Sequence, residues 1–191
     1  MRRIKFKGYG VVLPKNTVSF KEHIRYRISE GETQLSLAVT ACEKALKNSN
    51  ISINDIDCIV SASAVGVQPI PCMAALIHEK IAKGTSIPAL DINSTCTSFI
   101  TALDTMSYLL EAGRYKRVLI VSCDVASSAL NPNQKESFQL FSDGAVAFVV
   151  EKSDEEVGII DSTLKTWSEG AHSTEIRGGL SNFHPENYSE N

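Results

Sequence analysis

The sequence predicts an α/β fold: a mixed, mostly parallel five-stranded sheet covered by helices, with a central buried helix starting at Cys96. Three observations predict it. Short apolar runs at 58–65, 88–92 and 117–124 alternate with stretches of helical period, the pattern of strands joined by helical crossovers. The run RVLIVSCD at 117–124 is almost continuously apolar, as expected of a strand covered on both faces. The run AVAFVVE at 145–151 follows with no helix between, which predicts a late antiparallel addition.

Taken in order, residues 3–13 alternate around Ile4, Phe6, Tyr9 and Val11 and predict a first strand carrying two glycines. Residues 14–31 are polar and read as irregular. An amphipathic helix is predicted over 33–46, with Leu35, Ala38, Cys42 and Ala45 on one face. A strand at 58–65 precedes a loop and a helix from Pro71 to about residue 82, which Gly84 ends. The run 88–92 reads as a buried strand, broken at Asn93-Ser94-Thr95. From Cys96 onward Phe99, Ile100, Leu103, Met106 and Leu110 recur at spacings of three and four, the mark of a core-facing helix. Gly113 stands where a left-handed C-cap is usual. After 145–151, a turn and a further strand over 157–166 are expected. Beyond Trp167 the apolar period collapses, so residues 1–166 read as the domain and 167–191 as an irregular tail.

At 191 residues the chain can bury a sizeable core. A formal net charge of −3 with interspersed signs argues against nucleic-acid or anionic-membrane binding. No run approaches the roughly 18 apolar residues of a membrane helix, and no cysteine or histidine spacing is zinc-like. Five cysteines without paired spacing or a secretory signal point to a reducing cytosol.

Those cysteines are also the candidate nucleophiles. Cys42 lies on a helical apolar face, and Cys58 and Cys123 sit in strand-like runs, so these three read as core. Cys96 stands at a strand-to-helix turn among small polar residues, where unpaired backbone N–H groups and the helix dipole favour thiolate over thiol. Cys72 competes, because Pro71 before it marks another helix start. Position alone leaves both open.

The blocks DINSTCTSF, VLIVSCDV and LFSDGAVAFVVE, in this order, resemble the N-terminal half of β-ketoacyl-ACP synthase III, a thiolase-fold condensing enzyme. The resemblance covers roughly residues 4–160. It implies that Cys96 receives an acyl group from a thioester, with its own backbone N–H as one oxyanion donor. It places Ile70 where the family projects an apolar residue across a homodimer interface, and Phe141 on the acyl pocket. Asp143-Gly144 match a DG pair of structural role, and Cys72 becomes a packing residue. The substrates implied are acyl groups carried on acyl carrier protein or coenzyme A, with malonyl-ACP as extender and no other cofactor.

Two departures qualify what is implied. The family's longer first loop carries a tryptophan that stacks on adenine; here Phe20-Lys21-Glu22-His23-Ile24 stands there, and Lys135 replaces an arginine of the same clamp. A carrier-protein donor, or acyl transfer to a non-malonyl acceptor, gains ground accordingly. The family's catalytic histidine and asparagine and its second oxyanion donor lie in a second half, so the chain reads as an N-terminal domain or a truncated chain, inactive alone in condensation. His23, His78, His172 and His184 read as incidental. A non-catalytic thiolase-like subunit, with Cys96 kept for packing, is the alternative from another class.

Overall fold

The computed structural model describes residues 1–175. It divides into two units, residues 1–160 and a second beginning at Asp161. In the first, β1 (Ile4–Val12), β4 (Cys58–Ser61), β5 (Ala89–Asp91), β6 (Arg117–Asp124) and β7 (Gly144–Lys152) form one sheet in the order β1-β7-β6-β4-β5. The pairings β4–β5 and β4–β6 are parallel, and β7 runs antiparallel to both β1 and β6. Four of the five strands therefore share one direction, and β7 is inserted between β1 and β6 against it.

Helix α1 (Gln34–Ser49) begins at a capping box, in which Thr33 and Ser36 exchange side-chain and backbone bonds. Its small residues Ala38, Ala41 and Ala45 are fully buried against the sheet. The approach is close because β1 supplies glycines: a Cβ on Gly10 would lie 2.2 Å from the Ala41 carbonyl, and one on Gly8 2.6 Å from the Ser49 nitrogen. Helix α2 (Met73–Ile81) packs in the same core through Met73 and Ile77.

The opposite face of the sheet is covered by α3 (Ser98–Glu111), whose Ala102, Met106 and Leu110 are buried against Val60, Val118 and Ile120. Helix α3 is buried along one side rather than all round. Phe99, Leu103 and Leu109 are half-buried and Ile100 is 58% exposed, so its apolar stripe is wider than the sheet surface it meets. Gly113 has φ +76°, the left-handed conformation its place after the helix predicts.

Four expectations need correction. Residues 14–31 are not irregular: β2 (Asn16–Phe20) and β3 (His23–Arg27) pair as a separate antiparallel hairpin that includes His23. Val18 and Phe20, then Ile24 and Tyr26, alternate with polar residues, a short two-residue period on strands that stay largely exposed. The loop expected over 126–139 contains a short helix, α4 (Lys135–Leu140). The run 157–166 forms no strand; one isolated bridge pairs Ile159 with Arg2. The β5 strand is an edge rather than a buried strand, paired on one side only. In the second unit, residues 168–170 form a single 3-10 turn, and Trp167 is exposed. The tail expectation for 176–191, His184 included, lies outside the described residues. Among the described residues no helix is long and apolar enough to cross a membrane.

Candidate active site

Because β4, β5 and β6 are parallel, their C-terminal ends lie along one edge of the sheet, and the start of the antiparallel β7 joins them there. Such an edge is where open α/β sheets place ligands. Cys96 follows β5, Ile70 lies in the loop after β4, and Phe141 lies just before β7, so topology gathers all three at this edge.

Cys96 is the exposed cysteine of the five. It sits not in α3 itself but in a 3-10 turn, Thr95–Thr97, directly before it. Thr95 has φ +53°, an unusual conformation for a β-branched residue and one that costs of order 1–3 kcal/mol. Several bonds hold it. The Thr95 N–H donates to Asn93 Oδ1 at 2.9 Å, Ser98 Oγ donates to the Thr95 carbonyl at 2.6 Å, and the Ser94 N–H donates to Ser98 Oγ at 3.0 Å. The Thr97 N–H is taken by the Ser94 carbonyl at 3.3 Å. Between them, the Cys96 N–H stands in the first turn, where a helix offers its amides no acceptor.

The other cysteines are placed differently. Burial pushes up the thiols of Cys42 and Cys58, and that of Cys123 up to about 12, so all three are kept neutral in the core as the sequence predicts. Cys72 is half-buried at the N-cap of α2. There Asp91 already occupies the helix start: its two carboxylate oxygens accept the N–H groups of Met73 at 2.9 Å and Ala74 at 2.8 Å.

Ile70 is 85% exposed, before a cis Pro71. Phe141, 40% exposed, is the C-cap of α4. The buried Arg27 donates from its guanidinium to the carbonyls of Phe141 at 2.8 Å and Phe138 at 2.7 Å, so the β2–β3 hairpin clamps the segment that carries Phe141. Asp143 is buried and accepts from the Ile28 N–H at 2.8 Å, the Ser127 N–H at 2.9 Å and the Ser127 hydroxyl. That is a structural role, as expected of the DG pair.

Sequence reasoning did not single out Asn93, Arg27, Asp91 or Asp124. Asp124, at the end of β6, accepts the N–H groups of Ala64 at 2.9 Å and Val65 at 3.1 Å, and its carboxyl is raised by burial against the opposing effect of those two bonds. Asn93 alone carried a signal, since an asparagine two residues before another backbone N–H favours an Asx turn. Among the described residues no cluster of His, Cys, Asp or Glu could hold a metal. His78 contacts Thr85 Oγ1 at 3.2 Å, and His172 pairs with Glu175, so both are engaged by neighbours in sequence.

A family profile for 3-oxoacyl-[acyl-carrier-protein] synthase III matches residues 90–168, the stretch that contains Cys96, β6 and β7. A β-ketoacyl-ACP synthase III of Neisseria gonorrhoeae is 31% identical over 183 residues, covering 86% of this chain and 57% of that protein. One of Clostridium perfringens is 33% identical over 195 residues, covering 93% of this chain and 60% of that protein. Over this part of its length the chain is similar to the synthase III family. The synthase III structure of Aquifex aeolicus superposes with a TM-score of 0.75 at 29% identity, covering 80% of this chain and 55% of that one. That of Thermus thermophilus superposes with a TM-score of 0.82 at 23% identity over 95% of this chain and 61% of that one, a likeness of fold. The chain thus spans somewhat more than half the length of the synthase III relatives it matches.

Proposed function

We propose that this chain is the acyl-accepting part of a β-ketoacyl-ACP synthase III-type condensing enzyme, with Cys96 as its nucleophile. The observation that carries the reading is the placement of Cys96: an exposed thiol on a strained turn at a helix start, where three parallel strands end. The names of the relatives supply the reaction class.

In this reading the Cys96 thiolate attacks the carbonyl carbon of an acyl thioester. Charge moves onto the carbonyl oxygen, where the Cys96 N–H donates a hydrogen bond. The carbonyl re-forms as the carbon–sulfur bond to acyl carrier protein or coenzyme A breaks, and the departing thiolate takes up a proton. Phe141 lines the acyl pocket. Ile70 is carried across a homodimer interface, a role that its exposure as a large apolar residue supports. The thioester carriers are the only cofactors required.

The whole enzyme would condense the acyl-cysteine with malonyl-ACP in fatty acid biosynthesis, in the cytoplasm. In it, residues 1–166 are the thiolase-like domain and 167–191 the segment after it, and the family's catalytic histidine and asparagine belong to its second half. With one oxyanion donor of two, acylation should be slower by roughly a hundred- to a thousandfold, and condensation should be undetectable. The test is iodoacetamide labelling with peptide mapping, beside a malonyl-ACP condensation assay on the same preparation. Cys96 labelling ahead of Cys72 with no condensation is expected; condensation by this chain unaided would show that the missing partners are not needed.

A further inference from the structure

We propose that Asn93 is the positioning residue of the nucleophile turn, holding the Cys96 N–H where the thioester's oxyanion develops. The proposal rests on the reading of Cys96 as acyl acceptor and adds the residue that sets its geometry.

Asn93 uses both ends of its side chain. Its Oδ1 accepts the Thr95 N–H at 2.9 Å, and its Nδ2 donates to the Ala64 carbonyl, also at 2.9 Å. The Ala64 N–H is in turn held by Asp124 at 2.9 Å. A relay of three bonds therefore runs from the end of β6, through the loop after β4, to the turn after β5. It joins the three parallel strand ends on which the site is built. Its last link lands on Thr95, the residue held at φ +53°. A backbone in that conformation persists only when its surroundings over-determine it. Ser98 secures the Thr95 carbonyl from the α3 side, and Asn93 secures the N–H from the sheet side. The Cys96 N–H shares a peptide plane with the Thr95 carbonyl, so with Asn93 holding one end of Thr95 and Ser98 the other, that N–H has a fixed direction.

Acylation and alkylation of Cys96 make different demands. In acylation the sulfur–carbon bond forms while negative charge collects on the carbonyl oxygen, and the donor N–H must meet it. Alkylation by iodoacetamide displaces iodide at a methylene carbon, so no oxyanion needs a donor. A residue that merely stabilised the fold or exposed the thiol would affect both reactions alike. A residue that aims the amide affects acylation selectively.

The experiment compares the unmodified chain with Asn93→Ala and Asn93→Ser. Cys96 acetylation by S-acetyl-N-acetylcysteamine is followed by peptide mass, and Cys96 alkylation by iodoacetamide in parallel. Asn93→Ala should lose about tenfold or more in acetylation rate, with alkylation changed by less than about twofold. Asn93→Ser, whose hydroxyl can still accept the Thr95 N–H more weakly, should fall between. Equal losses in both reactions, or no loss in either, overturn the proposal. Should the unmodified chain acetylate elsewhere than Cys96, or not at all, the acyl-acceptor reading itself fails, and the proposed role with it. The Asn93–Thr95 link is then read separately by hydrogen exchange: the Thr95 amide should exchange about tenfold faster or more in Asn93→Ala, and unchanged exchange overturns the link whatever the chemistry.

Discussion

The Asp143 carboxylate accepts the Ile28 N–H at 2.8 Å across 115 residues of sequence. With Ser127 on its other side, that buried group ties the exit of the β2–β3 hairpin to the start of β7. The Arg27 guanidinium does the same close by, on the carbonyls of Phe138 and Phe141. The hairpin and the segment 125–143 are thereby fastened into one piece of the site's edge.

Asp143→Ala should therefore destabilise by about 2–4 kcal/mol, since it strands buried donors that each cost about 1–3 kcal/mol when unpaired. Urea unfolding measures it. A loss under about half a kcal/mol would mean water satisfies those donors as well as the carboxylate does.

Substitutions along α3 should grade with burial. Leu110 is fully buried, so Leu110→Ala should cost about 2–5 kcal/mol, whereas half-buried Leu103 should cost less and Ile100 least. Denaturant melts of the three alanine variants give the order. A reversed order would mean that this face of α3 is covered in solution.

Gly10→Ala probes the close approach of β1 and α1. Its Cβ would meet the Ala41 carbonyl at 2.2 Å, so backbone must shift, at a cost of about 1–3 kcal/mol or more. A neutral substitution in thermal melts would show that α1 stands farther from the strand.

Asp124 carries a pH dependence of definite sign. Its folded carboxyl is raised by burial, so the native state holds the proton more tightly than the unfolded chain does. The group favours folding most below the ordinary carboxylate range and progressively less as pH rises through its raised value. An asparagine side chain at this position would keep an oxygen for the Ala64 and Val65 amides without that penalty. The stability of Asp124→Asn relative to the unmodified chain should therefore rise as pH climbs above the ordinary aspartate value of about 4. A difference that falls with pH would mean the two amides, not burial, dominate this carboxyl.

How much of this was legible beforehand varies with what each element depends on. The strand 117–124 and the helix after Thr33 could be read directly, because burial on two faces and a capped amphipathic period leave local signatures. Cys96 and Phe141 lie within the quoted sequence blocks, Ile70 is named only by the wider resemblance, and chain order sets all three on loops at one edge of the sheet. The hairpin at 16–27 carries only a short alternation around Val18, Phe20, Ile24 and Tyr26, and what anchors it is distant: Asp143, Ser142 and the carbonyls of Phe138 and Phe141. The run 157–166 looked like a strand but has a single bridge, to Arg2, and pairing is invisible in composition. The left-handed Thr95 gave no signal either, since a β-branched residue is the last choice for positive φ.

The central claim is that Cys96 takes the acyl group. Its most direct test is to incubate the folded chain with a small acyl thioester and map the acyl mass to a peptide, beside Cys96→Ala and Cys72→Ala. The account predicts an adduct on Cys96 that persists in Cys72→Ala and vanishes in Cys96→Ala. An adduct on Cys72, or one that survives loss of Cys96, would contradict it.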